Sequence, residues 1–73
     1  MPLRPLPFRE VRRKLEAAGF LIASQKGSHT KFIKRVETGT LTAIVPNHRE
    51  VTSGTLRSVL HQAGLSVEDF ERI

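Results

Sequence analysis

The sequence has no cysteine, tryptophan or tyrosine, and only four phenylalanines in 73 residues. Without cysteine, disulfides and thiolate metal sites are both excluded. Three histidines remain, His29, His48 and His61, but they stand far apart and no pair has a metal-ligand spacing. No metal and no cofactor is expected. The shortage of aromatics disfavours a single-strand reader built on base stacking, because only Phe32 is placed to lie on a sheet face. There is no phosphate-cradling GK[ST] loop and no cluster of carboxylates. No apolar run approaches the roughly 20 residues of a membrane helix. The start, Met1 to Pro5, lacks the hydrophobic core of a signal peptide. The expectation is a cytoplasmic protein with no membrane role.

What the chain does have is positive charge. The formal net charge is +5. Residues 1–57 carry eleven Lys/Arg against four acids, a local excess of seven, whereas the tail holds Glu68, Asp69 and Glu71 against Arg72. A basic body of this size attracts polyanions through screened Coulomb forces and counterion release. Seventy-three residues make one domain, residues 1–73, that hides only about 60% of its unfolded surface. Stabilisation from a partner chain, or from very regular packing, is therefore expected.

Hydrophobic spacing predicts the elements. Phe8, Val11, Leu15 and Ala18 recur at intervals of three and four, the apolar stripe of a surface helix. Pro7 suits its first turn and Gly19 the left-handed position after its last. Arg9, Arg12 and Arg13 fall on the opposite, solvated side, with Glu16 as a local partner. Residues 1–7 read as an extended lead-in. Phe20–Gln25, His29–Arg35 and Thr40–Val45 read as three strands, separated by Lys26-Gly27-Ser28 and Glu37-Thr38-Gly39. Thr52 or Ser53 caps a second helix bearing Leu56, Val59, Leu60 and Ala63, which ends at Gly64. Ser66 and Asp69 open a short C-terminal helical turn within residues 66–73. The fold class is α+β, an α-β-β-β-α order with a three-stranded antiparallel meander and both helices on one face. Double-stranded-RNA-binding domains share this order.

The chemistry centres on Lys26-Gly27-Ser28-His29. Glycine opens a tight turn and lets a phosphate approach the backbone. Serine offers a hydroxyl, lysine a fixed charge, and histidine a proton that exchanges near neutral pH. A Gly-Ser turn beside a surface histidine is also common without any function. Facing residues of the next hairpin should have numbers summing to about 75–77, so His29 falls opposite Pro46 to His48. Two imidazoles near one phosphodiester would suit a general base and a general acid. One imidazole with water in the other role would also suffice. Lys26, Lys31, Lys34, Arg35 and Arg49 are the candidate phosphate contacts, and equally plain solubilising residues. Lys31 projects on the same side as His29. His61 falls on the polar side of the second helix.

Four segments carry a family resemblance. Leu15-Glu16-Ala17-Ala18-Gly19-Phe20, Lys26-Gly27-Ser28-His29, Val45-Pro46-Asn47-His48 and Gly54 to Leu65 together resemble the HicA toxin (YcfA-like) mRNA interferase family, over about Phe8 to Phe70. The resemblance implies a double-stranded-RNA-binding-like fold and a metal-independent endoribonuclease that inactivates mRNA. It places the catalytic histidine on His29, with Gly27 and Ser28 shaping its turn. It also implies a HicB-type antitoxin protein that blocks the site. Two departures stand out: Thr52-Ser53 replaces the family's frequent Pro-Lys, and the Val36-Glu37-Thr38-Gly39 turn differs from its usual short turn. The competing readings are a non-catalytic double-stranded-RNA-binding module of the same fold and a protein-interaction domain with a basic docking face.

Overall fold

The first helix, α1 (Phe8–Ala17), buries Val11 and Leu15 completely. It ends in a Schellman motif. The Phe20 N–H reaches back to the Leu15 carbonyl at 2.9 Å and the Gly19 N–H to the Glu16 carbonyl at 3.0 Å. Gly19 takes φ +99°, a region costly for any residue with a Cβ. The motif turns Phe20 into the core beside Leu15, so Phe20 packs before the first strand instead of belonging to it.

Three strands follow in a computed structural model that describes residues 3–73: β1 (Leu21–Lys26), β2 (His29–Val36) and β3 (Gly39–Pro46). Met1 and Pro2 of the expected lead-in lie outside the described residues. The strands form one antiparallel sheet in the order β1-β2-β3. Pairs from His29↔Pro46 to Val36↔Gly39 all sum to 75, as the expected turn requires. In β1 the register slips at Ala23, between Ile22↔Phe32 and Ser24↔Lys31. This bulge puts Leu21, Ser24 and Lys26 all on one side, although Leu21 and Ser24 are three residues apart.

The two sides of the sheet differ. Thr30, Phe32, Ala43 and Val45 are fully buried against the helices, while His29, Lys31 and Arg35 alternate with them and face outward. The second helix, α2 (Ser53–Ala63), contributes Leu56, Val59, Leu60 and Ala63 to that core. Thr52, not Ser53, is its cap, accepting from the Thr55 N–H. A last short helix, α3 (Val67–Arg72), starts at a Ser66 cap and inserts Phe70. Lys14 from α1 donates to the Phe70 carbonyl at 2.9 Å and lies 4.8 Å from its ring centroid. The α-β-β-β-α expectation, with helices on one face and a short helical C-terminus, is met.

Phe32 is a correction. Expected on the open sheet face, it is fully buried and stacks at 6.3 Å on Phe8 of α1. The cause is strand alternation, since His29 and Lys31 face outward and Phe32 has the opposite parity. The exposed apolar residues on the open face are Leu21, 68% exposed, and Ile44, 39% exposed, with half-buried Ile33 opposite Leu21. Near the outer edge of the sheet, the Ile44 N–H is taken by the Gln62 side chain of α2. Among the described residues no helix is long and apolar enough to cross a membrane.

Candidate functional site

The β1–β2 turn is Gly27-Ser28, with a positive φ of 58° at its first central residue only. That is the pattern of a type II′ hairpin turn, which matches strand twist and needs glycine at that place. A Cβ on Gly27 would meet nothing within 4 Å, so the requirement is in the backbone alone. The turn makes Lys26 and His29 a directly opposed pair. Side chains so placed have Cβ atoms about 5 Å apart on the same face. His29 pairs on its other side with Pro46, so the row across the sheet is Lys26, His29, Pro46.

The row continues one step past the strands. The Asn47 N–H donates to the Ser28 carbonyl, and then the chain turns away. His48 closes that turn with its N–H on the Pro46 carbonyl at 2.9 Å, while its own carbonyl accepts from the Phe8 N–H at 3.2 Å. His48 is thereby tied to the start of α1, two residues past the partner of His29. Both histidines are exposed. Among the described residues no hydrogen bond joins the two rings and no protein group is bonded to either.

The expected cations divide by position. Lys26, across from His29, and Lys31, two residues along the same face at about 7 Å, flank it directly. Arg49 follows His48 in the loop, and both line one small cleft with Asn47, Phe8 and Arg9. Arg35 shares the face of His29 but lies six residues along β2, about 20 Å away. The structure does not bring Lys34 to the group. It has the parity of Phe32, lies on the helix-covered side, and holds its ammonium 5.8 Å from the Phe20 ring centroid. Its stem runs close to Gly19. His61 is exposed on α2. Among the described residues no three His, Cys, Asp or Glu side chains converge as a metal-binding group.

Arg9 is exposed, as its place on the solvated side of α1 requires, but its neighbours differ from those of Arg12 and Arg13. Those two are held within α1 by Glu16 and Glu10, at 3.4 and 3.0 Å, whereas Arg9 lines the cleft with His48 and Arg49. The link is made by the loop bond to Phe8, and no local sequence signal announces it.

The model of the HicA toxin family of bacterial toxin–antitoxin systems matches residues 8–65. The chain belongs to the HicA toxin family. The match runs from the start of α1 through the site to the end of α2, so this HicA chain carries Lys26 to His29, Asn47 and His48 inside the family-defining region. No curated protein matches the chain. Membership in a toxin–antitoxin family implies that a HicA chain has an antitoxin partner.

Proposed function

We propose that the chain is an endoribonuclease that cleaves mRNA at a site centred on His29, without a metal. The observation that carries this reading is the placement of His29, exposed and flanked by Lys26 across the hairpin and Lys31 along the strand, in a HicA chain. RNA carries its own nucleophile. A general base removes the proton of a ribose 2′-hydroxyl, and the 2′-oxygen attacks the adjacent phosphorus. The bond to the 5′-oxygen breaks, and a general acid protonates that oxygen. The products are a 2′,3′-cyclic phosphate and a free 5′-hydroxyl. His29 supplies one proton transfer, and His48 or water supplies the other. Lys26, Lys31 and Arg49 neutralise the phosphate as charge builds on it, Gly27 and Ser28 let the strand come close, and Arg35 touches the RNA farther along.

A HicB-type antitoxin is the proposed protein partner. The open face offers Ile44 directly across from Lys31, and Leu21 at the other end of β1 from Lys26. Apolar and basic side chains on one face suit an acidic protein that covers His29.

The test is incubation of partner-free protein with RNA in excess EDTA. Cleavage with cyclic-phosphate ends is expected. Cleavage that stops in EDTA overturns the metal-free mechanism. Intact RNA together with retained duplex binding overturns the enzyme reading and supports a non-catalytic RNA-binding module.

A further inference from the structure

Three arginines from three separate segments meet beside the site. Arg4 belongs to the lead-in, Arg9 to the first turn of α1, and Arg49 to the loop between β3 and α2. Together with Pro5, Pro7 and Glu50 they line an open cleft of about 660 Å³. The cleft is built, not accidental. Leu6 and Val51 exchange two backbone hydrogen bonds, at 3.1 and 2.6 Å, and the Phe8 N–H bonds to the His48 carbonyl. Val51 of this seam and Leu3 of the lead-in are both buried. The lead-in is therefore fastened to the loop, and Pro5 and Pro7 stiffen it further.

The charge of the cleft favours anions. Among the described residues none of the three guanidinium groups is in a salt bridge, while Arg12 and Arg13 of the same helix both are. Only Glu50 among the lining residues is acidic, so like charges are held together without matching counter-charge. The cleft also lies at the start of α1, where the helix dipole adds partial positive charge, although the Phe8 N–H is taken by the His48 carbonyl and Glu10 sits in the first turn. Guanidinium forks suit phosphate oxygens.

The cleft adjoins the site. Pro7, Arg9 and Arg49 also line the neighbouring cleft of about 220 Å³ that holds Asn47 and His48. The two clefts together give a basic path from His48 past Arg49 to Arg9 and Arg4. We propose that this path is a second phosphate subsite, which holds the RNA backbone on one side of the scissile bond. The proposal rests on the reading of RNA as substrate. It makes Arg4 and Arg9 binding residues that act only on RNA long enough to reach them.

The experiment compares Arg4→Gln/Arg9→Gln with its parent, both in a His29→Ala background so that RNA stays intact. The probes are labelled RNAs of about 14 and about 4 nucleotides, read by fluorescence anisotropy over a salt series. The double variant should bind the longer RNA about 10-fold more weakly, with a salt slope reduced by about 1.4 for two lost phosphate contacts. Binding of the short RNA should not change, and Arg12→Gln should bind both like the parent. Equal affinity and slope for the longer RNA in the double variant overturn the subsite. A parallel loss on both lengths also overturns it, because the arginines then act at the His29 site or on the fold. Cleavage of the longer RNA by chains that keep His29 separates the two readings. If the parent does not cut but the length-selective binding loss is seen, the subsite stands and the ribonuclease reading falls. If the parent cuts and the double variant cuts and binds both lengths equally well, the subsite falls and the ribonuclease reading stands.

Discussion

Lys26 and His29 face each other across the β1–β2 hairpin as the last pair before the Gly27-Ser28 turn. An ammonium group and an imidazole on one face, about 5 Å apart at Cβ, can hold one phosphate between them. The two-residue turn sets this pair, and the bulge at Ala23 changes only which residues farther along β1, such as Leu21, reach the same face.

Lys26→Ala should weaken RNA binding several-fold and lower the salt slope by about 0.7 for a single-stranded probe. Thermal unfolding should not move, because the side chain is exposed. Anisotropy titrations at several salt concentrations measure both effects, and an unchanged slope would remove Lys26 from the phosphate contacts.

Gly27→Ala isolates the turn. The added methyl has open space around it, so the cost of holding alanine at φ 58° is conformational, about 1–2 kcal/mol. Urea unfolding should show that loss, and RNA cleavage should fall further than stability does as His29 loses its place beside Lys26.

Thr30 adjoins His29 but points into the core, where its hydroxyl is fully buried and has no hydrogen-bond partner. Replacing it by the near-isosteric valine should stabilise the fold by about 1 kcal/mol, since an unpaired buried hydroxyl carries a desolvation cost. A higher urea midpoint for Thr30→Val is the expected result; a loss of similar size would mean that the hydroxyl is satisfied.

The Arg13 guanidinium donates to the Glu10 carboxylate and holds its carboxyl below the ordinary 4.5. The folded value lies beneath the unfolded one, so the pair stabilises above the unfolded value and loses that contribution as pH falls through the folded one. Glu10→Gln should therefore lower the thermal midpoint slightly at neutral pH. The difference should fade on acidification as pH falls through that lowered folded value.

Much of this was legible locally. The stripe of Phe8, Val11 and Leu15 identified α1, and the glycine after it marked the chain reversal. The β2–β3 turn fixed the register that sets His29 opposite Pro46. The Ser66 cap was readable because its bond spans three residues, and the second helix's cap was narrowed to Thr52 or Ser53. What escaped was set by single-residue parity or by distant contacts. Phe32 and Lys34 sit on the helix side because alternation puts them opposite in parity to His29. Arg9 joins Arg49 only through the seam between residues 6 and 51, and no spacing in the sequence encodes that meeting.

The most direct measurement of the central claim is the single-turnover cleavage rate of RNA by His29→Ala, set beside the parent, with circular dichroism and thermal midpoints compared. His29 is exposed, so the variant should fold like the parent and lose at least about 100-fold in rate, the ordinary contribution of one general acid or base. A folded His29→Ala protein that cuts at the parent rate would contradict the account.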